Sequence, residues 1–338
     1  MPRDAKSGLS ASNKTAVIIL GLGDICQNGK LNKHLLKKML LSKNFSLGIK
    51  IIWYLKVRFS ILPAFLSKER QICSEINSCE NQSTEIVSIA KKVEEDLFNK
   101  YKDDKISVFA CTACNKGSLS NALNKIEASC ASRLIVLPLF PQNCFIIRNS
   151  VERIFAKHIK KYSFSRGLTI VPEFSKLYYY HRALAADIKH SGFGEESDDK
   201  LLFVYDPIRL SDIEGGDTYE KQVGATTLGI ADELGLDRGQ WSIAYSSHIE
   251  DSQSWLGPRA SDIIRIWASS DVQRIFVVYP ARLLNSPYTN YNFNYELKRV
   301  FKKASRSDRR KSIHLVPALG KTKTSVDLIA ELVRPYLN

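Results

Sequence analysis

At 338 residues the chain exceeds one ordinary core and suits two domains of about 150 residues each. Its 44% apolar and 25% charged residues form a globular composition rather than a disordered one, and no stretch reaches the roughly 18 uninterrupted apolar residues of a membrane span. The net charge of +14 suits nucleic acid, anionic lipid headgroups or a small carboxylated ligand; no nucleic-acid motif or aromatic ladder accompanies it, so no nucleic-acid partner is expected.

Residues 1–14 are polar, lack an apolar core and read as a flexible tail rather than a secretory signal. An N-terminal α/β lobe is then expected over 15–195. Its strand candidates are 16–22, 106–111, 133–140 and 168–172, with helical patterns at 85–102, 117–130 and 176–190. Segment 44–66 stands apart. It is rich in Trp53, Tyr54, Phe59 and Phe65 but is broken by Lys50, Lys56 and Arg58. It reads as an aromatic lip over a cleft, an ordinary buried helix pair, or a peripheral contact with the inner face of a membrane. The polar, glycine-containing stretch 192–200 marks a boundary, after which a C-terminal lobe is expected over 196–338. Its strand candidates are 200–206, 241–246, 274–280 and 313–317, with helices at 217–235 and 323–336.

These strands are continuous apolar runs, as parallel strands buried on both faces should be, and strand–helix alternation implies right-handed βαβ units. The halves echo each other: the run at 133–142 reappears at 274–283, and 168–174 at 313–319, in the same order. The expected fold is therefore α/β, with two similar Rossmann-like lobes, each a four-stranded parallel sheet flanked by helices, facing each other across a cleft. Ligands of such sheets sit beyond the carboxyl ends of the strands, which directs attention to 22–25, 111–115, 141–144, 205–209, 246–250 and 281–290.

All seven cysteines fall in the first 144 residues; their odd number and apolar surroundings suggest free thiols in a reducing cytoplasm. Cys111 and Cys114 form a CxxC without a second pair, which reads as packed thiols before it reads as a metal or redox site. Lys298, Arg299, Lys302, Lys303, Arg306, Arg309, Arg310 and Lys311 crowd one segment with only Asp308 among the acids, a solvated helix end running into a loop.

The most specific signal lies at 200–258. Gly216-Asp217-Thr218-Tyr219, then Gln222, Thr226-Thr227 and Trp255-Leu256-Gly257-Pro258, keep an order and spacing that resembles ferrochelatase. That family typically has a strand ending Ser-Phe-His-Gly-x-Pro, then a Gly-Asp-Pro-Tyr helix start. Residues 17–24 resemble its first strand and loop, and Leu137-Pro138-Leu139-Phe140-Pro141-Gln142 its Val-Pro-Leu-Tyr-Pro-Gln stretch. Independently of the resemblance, Asp217 is suited to cap a helix with Glu220 as capping-box partner. Tyr219, Val223, Thr226, Ile230 and Leu234 share one helical face, so this motif is expected to be structural.

The resemblance implies a chelatase-like fold and a protein of haem and porphyrin biosynthesis, with a tetrapyrrole and Fe²⁺ as substrates or ligands and no resident cofactor. The cysteine-bound iron–sulfur cluster of some ferrochelatases is not expected, since no cysteine follows Cys144. The family's strand-end histidine aligns with Asp206 and its next glycine with Pro207. The glutamate of its Pro-Gly-Phe…Asp…Glu-Thr-Leu run aligns with Tyr288, and the upstream aspartate with Asn285. Asp206 and Tyr288 are thus the catalytic positions, both substituted, with Asp206 the one metal candidate. Trp53, Tyr54, Tyr205, Ile208 and His248 are the expected tetrapyrrole contacts.

Metal insertion strips two pyrrole protons, for which imidazole, titrating near neutrality, is the natural base. The expectation is a porphyrin- or haem-binding protein with metal insertion lost or strongly reduced. The alternatives are an active ferrochelatase using Asp206, with His248 as helper, and an interaction protein that keeps only the fold and presents its basic segment. His181 reads as a helix-surface residue.

Overall fold

The computed structural model describes residues 14–21, 26–27, 30–31, 82–102, 105–112, 116–162, 167–196, 198–246, 255–306 and 308–337. Trp53 and Tyr54, with the whole of segment 44–66, lie outside these, as do His248 and Cys114.

The N-terminal half runs β1 (Thr15–Gly21), α1 (Gln82–Tyr101), β2 (Ile106–Thr112), α2 (Lys116–Ala128), β3 (Arg133–Pro138), α3 (Phe145–His158), β4 (Leu168–Ile170) and α4 (Tyr178–His190). The second half runs β5 (Lys200–Tyr205), the single turn α5 (Leu210–Glu214), α6 (Tyr219–Leu234), β6 (Trp241–Tyr245), α7 (Ala260–Ser269) and β7 (Arg274–Val278). A composite helix follows, made of α8 (Pro287–Tyr291), a π-helical segment (Asn292–Leu297) and α9 (Lys298–Ala304). The chain ends with β8 (Ser312–Leu315) and α10 (Lys323–Val333). A two-residue antiparallel ribbon joins Cys26–Gln27 to Lys30–Leu31.

The two sheets have one topology. The first is ordered β2-β1-β3-β4 and the second β8-β7-β5-β6, each four-stranded and parallel throughout. Counted from each half's own first strand, both read second-first-third-fourth. The duplication seen in the apolar runs is therefore a duplication of the fold. In β1, paired on both sides, every residue is buried, which is why its sequence shows no alternation.

Alternate strand residues divide the packing into layers. Ala16, Ile18, Leu20, Leu134 and Val136 turn to α2 and α3 on one outer side. Leu202, Val204, Ile275 and Val277 turn to α7 and the composite helix on the other. The opposite faces, Val17, Ile19 and Leu137 from one sheet with Leu201, Phe203 and Phe276 from the other, belong to one continuous core with residues of α1, α4, α6 and α10. Within it each half lends its last helix to the other: α4 packs on α6, and α10 packs on α1 and β3. Arg133 at the start of β3 fastens this exchange by donating to the carbonyls of Tyr336 (2.8 Å) and Leu337 (3.4 Å).

His181 departs from its surface expectation. It is 8% exposed, and its Nε2 lies 2.7 Å from the Ser175 carbonyl. The tyrosines before it, Tyr178 and Tyr179, take the exposed face instead. The ring lies flat against Gly229 of α6, where a Cβ would come within 2.0 Å of Nδ1. With the imidazole anchored at Nε2, neither helix can yield cheaply. Gly229→Ala should therefore cost about 1–3 kcal/mol by overpacking, read as a lowered urea midpoint with unchanged slope.

Candidate functional site

Strands β5 and β7 are neighbours, with Phe203 opposite Val278, so the chains leaving their carboxyl ends emerge side by side. The first carries Asp206 and the second Arg282. Arg282 Nη2 meets Asp206 Oδ2 at 2.5 Å, an ion pair whose aspartate side chain is 44% exposed and whose arginine is 19% exposed. Each loop is pinned by a buried phenol. Tyr219 of α6 donates to the Asp206 carbonyl (3.0 Å), and Tyr180 of α4 donates to the Pro280 carbonyl (2.8 Å). Burial, with the Asp206 charge second, holds the Tyr219 phenol well above its usual range, and burial does the same for Tyr180. Both therefore remain donors at physiological pH.

Ile208 and Arg209 continue from Asp206 into a short pairing with the segment after residue 254. Leu256 N donates to the Ile208 carbonyl (3.0 Å), Arg209 bridges Trp255, and its guanidinium lies 5.3 Å from that ring centroid. Ile208 itself is buried, as is Tyr205, whose hydroxyl lies 2.9 Å from Thr227 Oγ1. Ile208 was not read as core from the sequence. Tyr205 is 1% exposed, with its polar end already satisfied. Tyr288 falls in the first turn of α8, directly after the β7 loop.

Asn285 has a partner that the sequence did not announce. Glu85 of α1 is fully buried and receives the Asn285 backbone N–H (3.1 Å) and side-chain amide (2.8 Å). Gly320 closes the arrangement at φ +54°, where a Cβ would stand 3.0 Å from Glu85 Oε1. The available signal was a carboxylate on the apolar face of α1, four residues before Ile89.

The motif shared with the family forms the seam between lobes. Buried Asp217 accepts from Phe145 N, at the start of α3, through Oδ2 (2.6 Å) and from Tyr219 N through Oδ1 (2.9 Å). The expected capping box is not built: the Asp217 N–H goes to the Asp212 carbonyl and Glu220 is exposed. Gln222 holds both backbone groups of Asn143, accepting from its N–H (2.7 Å) and donating to its carbonyl (3.1 Å). Gln142 donates to Thr226 Oγ1 (2.8 Å), which donates onward to the Ser175 carbonyl (2.9 Å).

Burial pushes the Cys111 thiol up to about 12 and Cys144 up to about 11, so both are packed thiols rather than nucleophiles. Among the described residues no three histidine, cysteine or acidic side chains gather as a metal cluster.

Two duplicated parallel-sheet lobes with a polar site at their strand ends define a protein of chelatase type. In fold the chain is similar to SirB from Bacillus subtilis, solved with Fe³⁺, at a TM-score of 0.55 and 11% identity over 95% of this chain and 94% of that one. It is also similar to DR2241 from Deinococcus radiodurans, a multi-domain protein with structural similarity to chelatases, at a TM-score of 0.52 and 10% identity over 95% of this chain and 55% of that one. The chain belongs to the ferrochelatase family, whose profile matches residues 14–337. Relatives include the ferrochelatase of Psychrobacter arcticus, 22% identical over 289 residues (85% of this chain, 84% of that protein). That of Acinetobacter baumannii is 24% identical over 290 residues (86% and 84%).

The Glu85 contact yields a test. Asn285→Asp would set a second carboxylate against a buried one and remove its donor, costing about 3 kcal/mol or more at neutral pH. One of the two carboxyls must then hold a proton in the folded state, with a pKa raised above its unfolded value of about 4. The folded state would bind the extra proton, so the deficit relative to wild type should shrink as pH falls toward about 4 and grow as it rises. Urea titrations at both ends of that range measure it.

Proposed function

We propose that this ferrochelatase-family protein binds a porphyrin or haem in the cleft but has lost, or strongly reduced, insertion of Fe²⁺. The observation that carries the reading is the Asp206–Arg282 ion pair. It stands where the family resemblance calls for a strand-end histidine, and Arg282, in Pro280-Ala281-Arg282, falls at the phenylalanine of Pro-Gly-Phe. Insertion requires a group that collects pyrrole protons while a dication enters the macrocycle. The Asp206 carboxylate is engaged by a guanidinium, whose positive charge opposes a dication approaching the same oxygens. Loss of a positioned base alone costs about 10²–10⁴ in rate. Binding is less affected, because a tetrapyrrole is held by apolar contact and by charge on its carboxylates. The family tie favours that part. Trp53, Tyr54 and His248 remain proposed contacts on the sequence alone.

Purified protein should shift the Soret band of added protoporphyrin. On anaerobic addition of Fe²⁺, it should quench porphyrin fluorescence at least about 100-fold more slowly than the Acinetobacter baumannii relative assayed beside it. A rate equal to that relative's would overturn the lost-insertion reading, and absence of any Soret shift would overturn the binding reading. The ion pair adds a sharper test. Asp206→His with Tyr288→Glu leaves a guanidinium beside the new imidazole and should recover little activity. Adding Arg282→Phe should raise insertion above that double variant by at least about tenfold, since a charged neighbour no longer opposes the imidazolium or the metal.

A further inference from the structure

Part-buried guanidiniums need anions or carbonyls around them, and several in this chain have them. Arg133 donates to two carbonyls after α10, Arg274 meets Asp199 at 2.9 Å, and Arg282 meets Asp206. Arg148, in the first turn of α3, is different. It is part-buried and makes no hydrogen bond or ion pair among the described residues. Glu152, one turn further along the helix, is exposed and does not pair with it. Asp217, the acid at the head of α3, spends its two oxygens on Phe145 N (2.6 Å) and Tyr219 N (2.9 Å). What the guanidinium has is the Phe145 ring, 5.7 Å from its centroid. A ring face returns only part of the desolvation cost of a charge and uses none of its N–H donors.

The position of Arg148 ties it to the strand ends. Helix side chains lean toward the N-terminus, so Arg148 reaches back to Phe145, where α3 follows the carboxyl end of β3. Asp217 binds Phe145 N, and Tyr219, two residues on, donates to the Asp206 carbonyl. This helix end and the Asp206 loop therefore meet at one seam. Ile146, in the same turn, is 41% exposed, while Ile147 packs on the first sheet.

We propose that Arg148 receives a carboxylate of the tetrapyrrole held in the cleft, with Ile146 as an apolar contact at the edge of the macrocycle. The inference rests on the binding reading above and gives the first lobe a named share in it. A guanidinium fork matches a planar carboxylate through two parallel hydrogen bonds. Phe145 and Ile146 beside it suit an apolar ring that carries such a group. A free inorganic anion offers the charge without the apolar surface.

The test compares the full chain with Arg148→Met, which keeps the apolar stem and removes the charge. Soret titrations are run with protoporphyrin and with its dimethyl ester, both dispersed in the same mild detergent. The free acid should bind the variant at least about tenfold more weakly than wild type, the scale of one charge-assisted pair. The ester should bind the two proteins within about twofold of each other, since it carries no charge for Arg148 to meet. Arg148→Lys keeps the charge without the fork and should fall between wild type and Arg148→Met for the free acid. The urea midpoint of Arg148→Met should equal or exceed that of wild type, because an unpaired, part-buried charge is removed. A lowered midpoint with acid and ester weakened alike would overturn the inference by making Arg148 a structural residue. Undiminished binding of the free acid by Arg148→Met would overturn it too. Absence of any Soret response from the wild type with either ligand would overturn the binding reading, and this inference with it.

Discussion

The constraint on which the structure turns is the grip of Gln222 on the Asn143 backbone, with Asp217 holding Phe145 N beside it. Both side chains sit at or below 6% exposure, where an unmade hydrogen bond costs about 1–3 kcal/mol, so the N-terminal lobe's β3–α3 loop and the start of α6 must meet in one register. That register brings Tyr219 under the β5 loop and Tyr180 under the β7 loop. Asp206 and Arg282 are thus placed by a polar seam that neither of them touches.

The exchanged helices reinforce this coupling. Since α4 leaves the first half to pack on α6, and α10 leaves the second to pack on α1, neither sheet has a complete inner covering of its own. The apolar surface each lobe needs to bury is supplied partly by the other. Glu85 and Asn285 add a polar counterpart, joining α1 to the loop after β7 without leaving a buried charge unmatched.

How much of this was legible follows from how far each signal reaches along the chain. Continuous apolar runs located all eight strands of the two sheets, because burial on both faces is written locally. Of the composite helix from Pro287 to Ala304 only the basic end was read, as a solvated helix end. Its π segment carries more residues per turn than 3.6, which slips the apolar phase midway, so the windows on either side do not add. Asp217 was rightly taken as a structural acid, but its second partner lies 72 residues upstream, and a local capping box was the nearest available explanation. His181 looked exposed because aromatic neighbours obscured its helical phase; the glycine that makes room for it is on another helix. Asp206 stood out through resemblance. Arg282, 76 residues away, did not, since an ion pair between two loops leaves no pattern in either.

On the proposed reading, that pair also means that the two positions where the family resemblance calls for histidine and glutamate should be judged as charges rather than as residue types. An imidazole alternates between neutral and positive near pH 7, so it can accept a proton and still leave the site tolerable for a dication. Asp206, by contrast, carries a carboxylate already engaged by the Arg282 guanidinium. A metal at Asp206 must displace that guanidinium or sit beside it. On the proposed reading, the cleft is therefore better matched to holding a macrocycle than to changing one.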